Sequence, residues 1–166
     1  MALRPVEEDD HPWLVKLHND EEVLKNLNDS SITISSHLAW WARVSKDPHE
    51  KRLIFTVDGD RVGFTKFYSI DHKNSRCMLG ADIDPNFRGR GHAKHMWTLM
   101  LQVVFDELQL HRAGLRTAEY NSVGRRVYKR VGFQEEGRLR QAIHYEGVRY
   151  DDICMCVLKP EWDARQ

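Results

Sequence analysis

The chain has 166 residues, 41% of them hydrophobic, and its 25 lysines and arginines balance 25 aspartates and glutamates. That length suits one domain over residues 1–166 with a sizeable core. The even charge argues against a protein whose affinity rests on a net positive field, so nucleic acid is an unlikely partner. No apolar run approaches the roughly 20 residues needed to span a bilayer, and charged residues follow Met1–Pro5 directly, so no membrane partner and a cytoplasmic protein are expected.

In chain order, Leu3–Val6 suits a first strand. Glu7–Leu27 has helical spacing of Trp13, Leu14, Leu17, Val23, Leu24 and Leu27, with a break at Asn19-Asp20. Residues 28–34 read as loop. Ser35 or Ser36 caps a helix through Leu38, Trp41 and Val44 to about Lys46. Arg52–Val57, Arg61–Ile70 and Arg76–Asp84 form an antiparallel meander, turning at Asp58-Gly59-Asp60 and at Asp71–Ser75. Pro85 ends the third strand, and Asn86–His92 is a loop rich in glycine and arginine. A long helix follows to about Leu108, on the repeat of Ala93, Met96, Trp97, Met100, Leu101, Val104 and Leu108. Arg112–Ala118 is a strand and Asn121–Val131 a helix stopped by Gly132. Phe133–Tyr145 and Val148–Leu158 close the chain as a hairpin around Glu146-Gly147. The expected class is α/β (α+β): a mixed central sheet of about seven strands with helices on both faces. Of the three cysteines, Cys154 and Cys156 share a strand face and read, like Cys77, as small buried thiols. The nine histidines lack ligand spacing, and no metal is expected.

The loop carries the chemistry. A helix start offers free amides and partial positive charge, which suit a pyrophosphate. Gly89 and Gly91 let backbone approach phosphate oxygens closely, Arg88 and Arg90 add forked donors, and Ala93 keeps the helix start clear. A Walker loop lacks its Lys-Ser/Thr here, and a dinucleotide fingerprint lacks its third glycine, because position 94 is Lys. Asn121 and Tyr128 lie about two helical turns apart and so share a face. Asn121 either caps its helix or faces a ligand.

Arg88-Gly-Arg-Gly91-His-Ala93 resembles the R/Q-x-x-G-x-G/A signature of the GNAT N-acetyltransferases. Asn121-x-x-Gly124-x-x-x-Tyr128-x-x-x-Gly132-Phe133 is similar to that family's second signature, at the expected distance. The resemblance implies acetyl-CoA as co-substrate and direct attack of a primary amine on its thioester. It implies pairing of the Ile83 backbone with pantetheine and a pyrophosphate cradle from Arg88, Gly89, Arg90, Gly91, His92 and Ala93. Asn121 then binds the cofactor arm or orients the acceptor, and Tyr128 protonates the leaving thiolate. Relatives place a glutamate where this chain has Met78, so the base passes to Asp82, which has the same strand parity; Glu119, His37 and His144 are the other candidates.

The N-terminal half is similar to amino-sugar-nucleotide acetyltransferases at Asn19-Asp20, Val23, Ile34, His37 and Trp41. The C-terminal run Gly137–Arg140 through Tyr150-Asp151 resembles ribosomal-protein N-terminal and polyamine acetyltransferases. A small amine such as an amino sugar nucleotide therefore ranks first, with Trp40, Trp41, Phe67, Tyr68 and Tyr145 as stacking surfaces. A protein N-terminus, a polyamine, and a non-catalytic acyl-CoA sensor are the alternatives, and homodimer formation stays open. An RNA module built on Arg88, Arg90, Arg125, Arg126, Lys129 and Arg130 ranks last.

Overall fold

The computed structural model describes residues 1–27 and 29–165. Asn28, the first residue of the loop expected before Ile34, lies outside the described residues. The elements run β1 (Ala2–Pro5), α1 (His11–His18), α2 (Glu21–Leu27), α3 (Ile34–Val44), β2 (Lys51–Val57), β3 (Asp60–Asp71), β4 (Arg76–Ile83), α4 (His92–Gln102), β5 (Arg112–Ala118), α5 (Ser122–Val131), β6 (Gln134–Tyr145), β7 (Val148–Leu158) and α6 (Lys159–Asp163). The seven strands form one sheet in the order β1-β2-β3-β4-β5-β7-β6. Among the described residues only β4 and β5 pair in parallel, joined through α4. This is the mixed sheet that the patterning predicts.

Strand alternation sorts side chains into two cores. On one face Phe55, Phe67, Leu79 and Leu115 pack with Met96, Trp97, Met100 and Leu101 of α4, Val131 of α5 and Trp162 of α6. On the other, Ile54 and Phe64 pack with Leu14, Leu17 and Val23 of α1 and α2. The sheet thus has α4–α6 on one side and α1–α3 on the other.

Three local readings need correction. The cap of α3 is Thr33: its Oγ1 accepts from Ser36 N at 3.2 Å while its own N–H donates to Ser36 Oγ at 3.0 Å. That reciprocal arrangement satisfies two free donors where a lone Ser35 or Ser36 cap satisfies one. The long helix is α-helical only to Gln102 and continues as a π-helical turn over Val103–Glu107 that buries Val103, Val104 and Phe105. Helix α6 starts from Lys159-Pro160, where proline serves in a first turn and Trp162 plugs the core.

β4 and β5 pair only from Arg76↔Arg112 to Met78↔Gly114. β5 stays paired with β7 over its whole length, and β4 with β3 from Met78 to Ile83. Past Met78 the two neighbours therefore part and leave a slot through the sheet. Asp84 N donates to Val62 O at 2.9 Å, which makes Ile83 and Gly63 a non-hydrogen-bonded pair. By alternation Ala81 and Ile83 turn their N–H and C=O groups away from β3, into the slot.

Candidate active site

The loop between β4 and α4 closes one end of the slot. Asp84 is buried; its Oδ1 accepts from Asn86 N at 2.9 Å, and its Oδ2 accepts from Trp13 Nε1 at 2.9 Å. This carboxylate makes Pro85–Phe87 a 3-10 turn where plain loop was expected. Gly89 (φ +74°) and Gly91 (φ +82°) take left-handed conformations that a side chain would strain. Gly91 caps α4 without a side-chain bond, so the first amides of α4 are left to a ligand. His92 leads that turn with its Nδ1 buried and unpartnered among the described residues, and Ala93 follows, half-buried. Arg90 is exposed, its guanidinium 5.4 Å from the centre of the Phe87 ring.

The Arg88 side chain also reaches beyond the loop. Its Nη1 donates to Glu22 at 2.5 Å, its Nη2 to Asp20 at 2.8 Å and its Nε to the Ile83 carbonyl at 3.1 Å. The sequence gives no sign of this, because the partners lie far upstream.

Across the slot, α5 supplies the second signature. Asn121 does cap the helix: its Oδ1 accepts from Gly124 N at 2.9 Å and its Nδ2 donates to Thr117 Oγ1 at 3.1 Å. A β-carbon on Gly124 would lie 2.6 Å from Asn121 Nδ2, which explains the small residue at that place in the motif. Val131 of α5 is buried in the core, whereas Val123 at the helix start is 60% exposed. Tyr128 packs edge-on against Trp97, with ring centres 4.8 Å apart. Burial, with the Asp82 charge adding to it, pushes its hydroxyl up to about 12, while hydrogen bonds with Thr117 and Asn121 oppose the rise.

Asp82 projects from β4 on the α1–α3 side, and its Oδ2 lies 2.6 Å from Lys66 Nζ of β3. A cavity of about 440 Å³ follows the slot and is bordered by Ile83, Arg88, Gly89, Gly91, His92, Ala93, Asn121, Tyr128 and Asp82. A second, of about 330 Å³, lies under α1–α3 between Leu14, Leu17, Leu27, Ile32, Trp40 and Phe64, with His18, Asp29, Ser36 and His37 on its wall. Asp82, Lys66 and Leu27 border both cavities. Of the cofactor-cradle residues with Tyr128 and Asp82, only Arg90 does not border the slot. Lys66, Leu27 and Thr117 went unread, although Lys66 could be found from β-register, because it shares Asp82's face.

The other base candidates separate. Glu119 and His144 are exposed beside the β6–β7 hairpin. His37 is buried on the second cavity's wall, its Nε2 3.0 Å from His11 Nδ1. Burial first, then His11 and His18, holds it below the usual histidine range. Of the stacking surfaces proposed for a sugar, only Trp40 lines that cavity. Phe67 is fully buried in the opposite core, and Tyr145 packs with Tyr120. No group of three metal-ligating side chains occurs among the described residues, and no helix there is long and apolar enough to cross a membrane.

The acetyltransferase (GNAT) domain profile matches residues 1–134. An uncharacterized N-acetyltransferase from a Bacillus subtilis prophage is 27% identical over 98% of this chain and 92% of its own. A putative ribosomal N-acetyltransferase of Bacillus subtilis is 28% identical over 76% of this chain and 69% of its own. A spermidine N-acetyltransferase from Vibrio cholerae, solved with CoA and spermine, superposes with a TM-score of 0.92 at 21% identity, covering 97% of this chain and 96% of that one. The chain belongs to the GNAT family and is an N-acetyltransferase that takes its acetyl group from acetyl-CoA.

Proposed function

We propose that the chain acetylates a single primary amine borne on an apolar body, and that the transfer happens where the slot meets the second cavity. The observation that carries this reading is the shared border: Asp82 lies on both the slot and a pocket walled by leucines, Trp40 and Phe64. Pantetheine lies between β4 and β5 on the groups of Ala81 and the Ile83 N–H that turn into the slot. Its pyrophosphate sits on the amides of Arg88–Ala93, with Gly89 and Gly91 giving close approach, Arg90 supplying charge and His92 a ring nitrogen. Asn121 holds Thr117 and Tyr128 against the thioester end. Asp82, on the acceptor side, takes the proton from the incoming ammonium, directly or through one water. An inward N–H of Ala81 or Ile83 meets the oxyanion. Tyr128, on the opposite side, donates a hydrogen bond to the departing thiolate.

The acceptor's class follows from charge. A polyamine needs several unpaired carboxylates. Here Asp82, the carboxylate that borders both cavities, is paired with Lys66. Asp20 and Glu22 are held by Arg88, and of the acidic run 7–10 Asp10 is buried between Arg4 and Arg61. Leucine and tryptophan walls instead favour an apolar body. A polyamine is the second reading, favoured by 24% identity with the spermidine N(1)-acetyltransferase of Escherichia coli over 99% of this chain and 89% of that protein. The test is release of free CoA thiol from acetyl-CoA with 2-phenylethylamine, spermidine, glucosamine and a short peptide with a free N-terminus. The expected order puts 2-phenylethylamine first in kcat/KM, by about tenfold or more. Turnover of spermidine alone moves the acceptor to the polyamines.

A further inference from the structure

We infer that Arg88 is a positioning residue that couples the cofactor loop to α2, so that a seated acetyl-CoA fixes one wall of the acceptor cavity. This rests on the reading of the slot as the acetyl-CoA site. The guanidinium divides its donors between two parts of the molecule: the Ile83 carbonyl on the slot, and Asp20 and Glu22 at the start of α2. The same Asp20 oxygen accepts from Val23 N at 3.2 Å, so Arg88 grips the group that caps α2. At its far end α2 is held again: Tyr120 Oη donates to the Lys25 carbonyl at 2.6 Å, and Lys25 Nζ lies 5.7 and 5.4 Å from the ring centres of Tyr120 and Tyr145. Tyr120 directly precedes Asn121.

A helix of 7 residues does not stand alone in water, and its placement comes from what holds it. Here both holds come from the two loops that frame the cofactor slot. Between them Val23 is buried in the small core and Leu27 borders both cavities. The ion pairs are partly exposed, and pairs of that kind contribute little to global stability. Their effect is geometric: when the loop tightens on a pyrophosphate, Arg88 draws the start of α2 with it, and Leu27 completes the acceptor wall.

Hydrogen–deuterium exchange over residues 21–27, with and without CoA, tests the coupling, together with CoA titration calorimetry and steady-state kinetics on 2-phenylethylamine. In the unaltered chain CoA should slow exchange there by about tenfold. Arg88→Ala should abolish that slowing and raise the amine KM about tenfold, a larger factor than its loss of CoA affinity. Glu22→Gln should act in the same direction, and the double variant should be no worse than Arg88→Ala alone, because the two groups act through each other. A tenfold loss of CoA affinity in Arg88→Ala, with Glu22→Gln silent, would make Arg88 a phosphate ligand and overturn the coupling. So would exchange over 21–27 that ignores CoA. Failure of the unaltered chain to bind CoA at all would remove the slot assignment itself. If 2-phenylethylamine is not turned over, the acceptor class fails and the exchange arm alone decides.

Discussion

Tyr128 shows how much a single environment decides. A thiolate leaving group takes its proton near pH 8.5, whereas the buried Tyr128 hydroxyl is pushed up to about 12. Full transfer from tyrosine to thiolate is then uphill by about 5 kcal/mol. In the proposed mechanism it therefore donates a hydrogen bond while charge grows on sulfur, and the net proton comes from the ammonium of the tetrahedral adduct. A hydroxyl of that pKa also remains a donor throughout the working range. Tyr128→Phe should lower kcat by roughly a hundredfold and leave CoA affinity within about threefold. The rate should climb with pH as the free amine forms, with no fall below about pH 11 that depends on Tyr128. An alkaline limb near pH 9 that vanishes in the phenylalanine variant would contradict this. Tyr128 and Asn121 were legible in the sequence because helical spacing puts them on one face. The ion pairs of Arg88 were not, because Asp20 and Glu22 reach it only through the tertiary fold.

At the scale of elements, the seven strands follow from alternation and turn residues, and the corrections fall at the ends. The π-helical turn, the Thr33 cap and α6 each depend on contacts beyond the local pattern. The slot is also a tertiary effect: β5 stays with β7 and β4 with β3 where the two part, and nothing in either strand's sequence announces that. The start of α5, in contrast, is written in the chain. Asn121 caps only because Gly124 leaves room. Gly124→Ala removes that room, 2.6 Å from the amide nitrogen, and two stability effects then oppose each other. Loss of the cap costs about 1 kcal/mol, and alanine in place of glycine within a helix returns about 1 kcal/mol. The melting temperature should therefore move by only a few degrees. Turnover should fall about tenfold or more, because a displaced Asn121 no longer steadies Thr117 and Tyr128. Melting curves and kcat on the same preparation separate the two, and an unchanged kcat would show that Asn121 serves the helix alone.

For the whole molecule, the α1–α3 layer that walls the second cavity must be locked to the sheet, and a buried carboxylate does this. Asp10 is 0% exposed, with Arg4 Nη1 2.6 Å from one of its oxygens and Arg61 Nε of β3 2.6 Å from the other. The clasp joins β1, the turn before α1 and β3, and it lies in the acidic run that composition alone would offer as a cation site. Burial raises the Asp10 carboxyl, but hydrogen bonds from Arg4 and the Glu7 amide, with the Arg4 and Arg61 charges, bring it from 3.8 down to about 2. A carboxyl lowered on folding stabilises the fold above its unfolded value near 4 and loses that contribution as pH falls through about 2. The amount is about 2 kcal/mol. Glu136, also lowered to about 2, is partly exposed on its pair with Arg112, and solvent screening makes its share smaller. Asp10→Asn should cost about 3 kcal/mol at pH 7, because two guanidinium groups are left facing an amide. For a chain of this size that is a drop of roughly 6–12 °C in melting temperature. The same variant should lose much of the acid dependence between pH 4 and 2, since the group that titrates there is gone. Urea titrations across that range measure both effects at once, and an asparagine variant as stable and as acid-sensitive as the unaltered chain would mean that the clasp does not hold the two layers together.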